Sequence, residues 1–236
     1  MAVILVFETS TDVCSVALMK DGRIIDLIES KDGQNHARLV TVFADSLMER
    51  NNIKPIDLVA VAVSKGPGSY TGLRIGISTA KGICYASSIP LIGIGTLEAM
   101  SDHVMSNRVK YAISEVKPSL YCPMIDARRM EVYTMLLDEN GNVLKPVIAE
   151  IIDESFFSGE SEEKQLVVFG NGSAKCIPII KSTNVIFVDG IEASAQHMEN
   201  LVWQAYINKR FENVAYFEPF YLKDFVATVS KKNMLG

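Results

Sequence analysis

Residues 2–29, AVILVFETSTDVCSVALMKDGRIIDLIE, decide the fold. The unbroken apolar run Ala2–Phe7 predicts a strand buried on both faces. Val13–Met19 and Arg23–Ile28 predict two more, joined by Asp21-Gly22. A tight type I′ hairpin prefers that dipeptide because both central residues need positive φ. The three strands make an antiparallel meander. Between the first two, Glu8-Thr9-Ser10-Thr11-Asp12 forms a turn rich in hydroxyls and carboxylates at the edge of the sheet.

Downstream, the apolar spacing of Leu39, Val42/Phe43 and Leu47 predicts a helix over about His36–Asn51. Asp57–Val63 reads as a doubly buried strand. Gly66-Pro67-Gly68-Ser69-Tyr70-Thr71-Gly72 opens a helix to about Ser87, followed by strand Pro90–Ile94 and helix Gly95–Val104. The order βββαβαβα defines a first α/β domain over residues 1–106 with a mixed sheet. The second half, 107–236, partly repeats it. Strand Leu120–Asp126, a polar turn Ala127-Arg128-Arg129, strand Glu131–Leu137, Asn140-Gly141 and strand Val143–Ile148 follow in the same order. Phe7-Glu8 aligns with Ile125-Asp126 at an offset of 118, and Asp21-Gly22 with Asn140-Gly141 at 119. Identity is too low to prove duplication, and two independent meanders stay open as the alternative. Glu150–Gln165 reads as a surface excursion. Leu166–Phe169, Gly170-Asn171-Gly172, a helix from Ser173, strand Val185–Val188 and helix Ala193–Asn208 complete the chain, with the tail from about 212 expected to pack back on the first domain.

Composition narrows the classes. The 236 residues are 48% hydrophobic and 22% charged, an ordinary globular balance. The apolar run Ala2–Phe7 is far short of the ~20 residues of a membrane helix, and no basic n-region with a small-residue cleavage site opens the chain. A cytoplasmic protein without membrane contact is expected. Net charge is −5, with eight acids against two lysines between Asp138 and Gln165. No broad positive field draws the molecule to nucleic acid, and Lys223, Lys231 and Lys232 read as a solvated terminus, with a phosphate contact as the alternative. Cys14, Cys84, Cys122 and Cys176 lie 70, 38 and 54 residues apart and read as small buried hydrophobes. His36, His103 and His197 lack the i+3 to i+5 partner of a helical metal site. No metal site is expected.

The glycine loop is neither a P-loop nor a dinucleotide fingerprint, since Thr71 and Gly72 stand where those patterns need glycine and lysine, or glycine. Gly68, Gly72, Gly76 and Ala80 recur every four residues and leave a bare stripe along the helix. Each glycine there costs about 1 kcal/mol of helix propensity. Close packing against another helix or strand, or a subunit contact, is favoured over anion binding at the helix start. No catalytic residue is assigned: Ser10, Ser15 and Ser69 lack a nucleophile-elbow context and no H-E-x-x-H pair occurs. Glu8 and Asp126, at the ends of corresponding strands, are candidates to flank a cleft and share Mg²⁺ with a nucleotide. Gly170-Asn171-Gly172 either receives an adenosine or turns the chain.

Several segments resemble the bacterial TsaB family, the non-catalytic partner in tRNA threonylcarbamoyladenosine synthesis. They are Gly66-Pro67-Gly68-Ser69-Tyr70-Thr71-Gly72-Leu73-Arg74-Ile75-Gly76, Glu8-Thr9-Ser10 with Cys14-Ser15-Val16-Ala17-Leu18, Ile125-Asp126-Ala127-Arg128-Arg129 with Glu131-Val132-Tyr133, and Pro219-Phe220-Tyr221-Leu222-Lys223. The opening departs from the family's, which usually has Asp at position 8, and the ending carries Lys for Arg. The resemblance implies an actin-like, sugar-kinase-like (ribonuclease H-like) fold of two related βββαβα-type domains. It implies pairing with the enzyme TsaD and with the ATPase TsaE, a homodimer when alone, and contact with tRNA through the complex. TsaD carries iron ligands in an H-x-x-x-H helix; here His36 opens the matching helix but Val40 stands at the second position. No cofactor of its own is implied. ATP would bind weakly or at the partner border, with Glu8, Thr9, Ser10, Asp126, Gly170, Asn171 and Gly172 as a vestigial or shared site. The family's dimer surface maps to Leu39, Phe43, Leu47, Gly68, Tyr70, Gly72, Leu73, Gly76 and Ala80. A self-sufficient actin-like ATPase or kinase, and more distantly a metallopeptidase, are the competing classes.

Overall fold

A computed structural model describes residues 1–33, 35–114, 116–153, 164–180 and 184–222. The meander is β1 (Val3–Glu8), β2 (Cys14–Lys20) and β3 (Arg23–Ser30). Both Asp21 (φ 46°) and Gly22 (φ 84°) occupy the left-handed region, as the hairpin requires. Helix α1 (His36–Arg50) leads to β4 (Leu58–Gly66), α2 (Tyr70–Ser87) to β5 (Leu91–Gly95), and α3 (Thr96–Ser106) closes the first half. The sheet order is β3-β2-β1-β4-β5. β1–β2 and β2–β3 run antiparallel, while β1–β4 and β4–β5 run parallel.

The second half repeats this plan with β6 (Ser119–Asp126), β7 (Glu131–Leu137), β8 (Val143–Ile151), β9 (Gln165–Phe169) and β10 (Val185–Val188). Its order, β10-β9-β6-β7-β8, is the first sheet's order read from the other edge. The antiparallel and parallel pairings also fall in the same places. Each half is therefore a ribonuclease H-like sheet, and the pair makes the actin-like architecture.

Alternation along the strands sorts side chains between layers. Val3, Leu5 and Phe7 of β1 pack with Val16, Leu18, Val61 and Val63 beneath Val40, Ala44 and Leu47 of α1 and Ile77, Ala80 and Cys84 of α2. Ile4 and Val6 face the other way, with Ala17, Met19, Ala60 and Ala62. They meet Ala195 and Met198 of a 3-10 turn (Ala195–Met198), and Val202 and Ala205 of α4 (Glu199–Ile207). The chain thus crosses back to the first sheet from Ala195. Helix α3 lies between the sheets: Ala99 faces the first, and Leu97, Met100 and Val104 face Tyr121, Ile125, Val167 and Phe169 of the second. Each such large side chain contributes about 1.5–3 kcal/mol on burial.

Two expected helices are shortened. The helix from Ser173 is a single 3-10 turn, Ala174–Cys176, because Pro178 has no N–H to continue it. The helix over Ala193–Asn208 opens with the 3-10 turn and becomes α-helical only at Glu199. β8 runs on to Ile151. The rest of the acidic excursion, 154–163, lies outside the described residues, as do Lys223, Lys231 and Lys232. Among the described residues no helix is long and apolar enough to cross a membrane.

Candidate functional site

The glycine stripe meets the turn after β1. A Cβ on Gly72 would overlap the Thr9 carbonyl, one on Gly68 the Ser10 carbonyl, and one on Gly76 the Thr9 hydroxyl. Thr9 Oγ1 donates to the Gly72 carbonyl (2.8 Å), and the Ser69 N–H donates to the Ser10 carbonyl (2.6 Å). Ser69 caps α2 by accepting the Gly72 N–H at 3.3 Å. The small residues therefore admit the chain's own β1–β2 turn rather than a partner helix. Gly72 and Gly76 are buried against that turn, which takes these two out of the expected dimer surface. A phosphate seated at this helix start would need the space that Thr9 and Ser10 fill.

Glu8 is turned inward at 1% exposure. Its Oε1 accepts the Ser10 N–H (2.7 Å) and the Ser64 hydroxyl (2.8 Å). Burial pushes the carboxyl above its ordinary range, opposed by those hydrogen bonds. Asp126 is exposed and accepts the Lys175 ammonium at 2.6 Å and the Arg128 N–H at 2.7 Å. Partial burial would raise Asp126, but Lys175 and Arg128 outweigh it and hold the carboxyl below the usual range. The two acids are thus engaged separately, and the expected carboxylate pair across a cleft is not formed. Among the described residues no group of three His, Cys, Asp or Glu could hold a metal. Glu8, enclosed in the fold, and Asp126, paired with Lys175, are not placed to share one Mg²⁺ within this chain.

Gly170-Asn171-Gly172 turns the chain over the end of β6. Gly170 (φ 101°) sits where a Cβ would overlap the Met124 carbonyl, and the Gly172 N–H donates to that carbonyl at 3.0 Å. Asn171 Oδ1 accepts the Asp126 N–H at 2.9 Å. The loop after β9 therefore packs on the turn after β6 just as the loop after β4 packs on the turn after β1.

Helices α1 and α2 cover one face of the first sheet. Leu47, Leu73 and Ala80 are at most 1% exposed, so these three belong to the chain's own core and not to a contact surface. Leu39 and Phe43 are half-buried against the same cluster. The solvent face carries Arg38, Thr41, Val42, Asp45 and Glu49 of α1 with Arg74, Ser78 and Tyr85 of α2. His36 is buried, and its Nε2 lies 3.0 Å from the Thr11 carbonyl; Val40 is fully buried.

A strap formed by residues 212–222 borders α2. The Glu212 N–H donates to the Leu91 carbonyl (2.8 Å) and the Phe220 N–H to the Lys65 carbonyl (2.7 Å). Lys81 Nζ donates to the carbonyls of Ala215 and Phe217. Tyr70 stacks on Tyr221 with ring centroids 4.2 Å apart, and the Arg74 guanidinium lies 4.1 Å from the Tyr70 centroid. Arg74, Ser78, Lys81, Pro219 and Tyr221 line a groove of about 350 Å³ there. Lys81 and Lys175 carried no sequence signal, because a lysine that caps distant carbonyls has no local pattern.

The doubled sheet with its loop-on-turn packing defines a protein of the actin-like class. A family profile described as TsaD, tRNA N6-adenosine threonylcarbamoyltransferase, matches residues 28–216. A relative from Escherichia coli (strain K12), "tRNA threonylcarbamoyladenosine biosynthesis protein TsaB", is 31% identical over 238 residues, covering 95% of this chain and 96% of its own. The protein of the same description from Bacillus subtilis (strain 168) is 31% identical over 147 residues, covering 62% of this chain and 60% of its own. Among solved structures, YeaZ from Pseudomonas aeruginosa superposes with a TM-score of 0.77 at 20% identity, over 94% of this chain and 100% of that one. The chain belongs to the TsaB family.

Proposed function

We propose that this chain is a non-catalytic partner subunit in tRNA threonylcarbamoyladenosine biosynthesis. In this reading it pairs with a TsaD enzyme, works with TsaE, and enables transfer of the threonylcarbamoyl group to adenosine 37 of tRNA. The observation that carries the reading is the fate of its polar residues. Glu8 serves the Ser10 N–H and the Ser64 hydroxyl, and His36 serves the Thr11 carbonyl. Val40 fills core at the position of the enzyme's second metal ligand. The fold is kept while the groups that nucleotide and metal chemistry would need are committed to structure. ATP, where it binds, is held at the border with the partner. The solvent face of α1 and α2, with Val42 and Tyr85 exposed, offers the surface for pairing with the enzyme or, in its absence, with a second copy.

The test is an omission assay. TsaD, TsaE, threonylcarbamoyl-adenylate, ATP and unmodified tRNA are combined with and without this chain, and modified adenosine is measured by mass spectrometry. Product that depends on the chain supports the reading. Equal product without it rejects the reading and favours a self-sufficient actin-like ATPase.

A further inference from the structure

The turn between β6 and β7 contains an unusual backbone. Arg128 (φ 71°) and Arg129 (φ 51°) are successive non-glycine residues in the left-handed region, and no other such pair occurs among the described residues. There a Cβ crowds the following carbonyl oxygen. The turn is tied down from inside. The Arg128 N–H donates to Asp126 Oδ1 (2.7 Å), and the Ala127 N–H donates to the Glu131 carbonyl (3.0 Å). The Lys175 ammonium donates to Asp126 Oδ1 (2.6 Å), the Arg129 carbonyl (2.9 Å) and the Glu131 carbonyl (2.6 Å).

Lys175 thus uses all three of its donors and already neutralises the nearest carboxylate. Arg128 and Arg129 are both exposed, and among the described residues neither guanidinium has a hydrogen-bond or ion-pair partner. Asparagine or glycine would hold this backbone with less strain. A strained conformation at a fixed place is a pointer to use, and here it presents two exposed guanidiniums, neither in an ion pair among the described residues, side by side at the apex of a tied-down turn. The guanidinium fork matches phosphate oxygens. Exposed at an apex, the pair gains most from an extended polyanion that offers several phosphates at once.

We propose that Arg128 and Arg129 form a direct contact with the phosphodiester backbone of tRNA, an inference that rests on the subunit reading above. The chain's net charge of −5 suits two such contacts added to a grip made mainly by another subunit. Lys175 is a positioning residue that keeps the turn rigid.

The experiment titrates the assembled complex of this chain and its TsaD partner with labelled unmodified tRNA across a series of KCl concentrations. Arg128→Gln/Arg129→Gln is expected to leave assembly intact by size-exclusion chromatography. It should weaken tRNA binding about tenfold or more and lower the log–log salt slope by about 2. Arg128→Lys/Arg129→Lys should restore most of the slope. Arg128→Gly/Arg129→Gly should raise the melting temperature while still losing the tRNA contact, an outcome a purely structural role would not give. Unchanged affinity and slope in an intact complex would overturn the inference and leave the subunit reading standing. Loss of assembly would overturn it in favour of an acidic protein partner. If the omission assay gives product without the chain, the subunit reading fails and this inference fails with it.

Discussion

At the scale of single residues, the positions that matter most are those where a small or polar side chain answers a neighbouring backbone. Gly72 has no space for a Cβ beside the Thr9 carbonyl. Gly72→Leu should therefore lower stability by about 1–3 kcal/mol, the usual range for overpacking, read as a fall in the urea midpoint of the isolated chain. Under the dimer-stripe expectation the same substitution would weaken pairing and spare the fold, so chemical denaturation separates the two accounts. Glu8 makes a second case. Glu8→Gln keeps an acceptor for the Ser10 N–H and Ser64 hydroxyl and should be close to neutral. Glu8→Ala strands both donors and should cost about 1–3 kcal/mol for each group left unsatisfied. Nothing in the sequence marks Glu8 as inward-facing, because a carboxylate at a strand end is more often exposed. Only the Ser64 hydroxyl and the Ser10 N–H, placed by the fold, make its burial tolerable.

Among the elements, the strands were the most legible. Apolar runs and the Asp21-Gly22 turn place β1 to β3 to within a few residues, since a continuous apolar run and a positive-φ dipeptide are local signals. The helix from Ser173 was not legible as a single turn, because the influence of Pro178 had to be weighed against good helix formers before it. The bare stripe on α2 signals a close approach without saying whether the neighbour belongs to this chain or to another, and here the neighbour is the chain's own β1–β2 turn. Spacing reveals that something must come near, while the identity of that neighbour depends on tertiary contacts between residues 9 and 72. The strap belongs to this scale too. Phe217 is 9% exposed and packs in the core beneath α1 and α2. Phe217→Ala should cost about 3–5 kcal/mol, the usual range for a buried phenylalanine, and should release Lys81 from its two carbonyls. Limited proteolysis after the substitution should cut first near residue 215.

On the scale of the whole molecule, α3 and the segment from Ala195 join the halves. Because Leu97 and Met100 pack on the second sheet while Ala99 packs on the first, the two sheets should unfold together. Leu97→Ala should shift a single thermal transition downward rather than split it, as calorimetry would show. At the same junction His103 of α3 and His197 stack with centroids 3.9 Å apart. Burial first, and the neighbouring His103 second, push His197 down to about 3; burial, then Lys110, also lowers His103. Both rings fold in the neutral form, so the unfolded chain binds more protons below the ordinary histidine value. Stability should thus be fully present above about pH 6.5 and decline as the pH falls from there toward 3. His197→Gln should flatten that slope in denaturation curves taken across the same range.

The chain holds one tryptophan, Trp203, and its indole lies so close to Gly22 that a Cβ there would stand 2.9 Å from the ring. The hairpin glycine belongs to the first sheet and the indole to α4, which reaches that sheet only after the second has been built. The unlabelled protein therefore contains its own optical gauge of closure. Blue-shifted emission reports α4 seated on the hairpin, a red shift reports it lifting away, and the colour of one residue follows the meeting of α4 with the first hairpin.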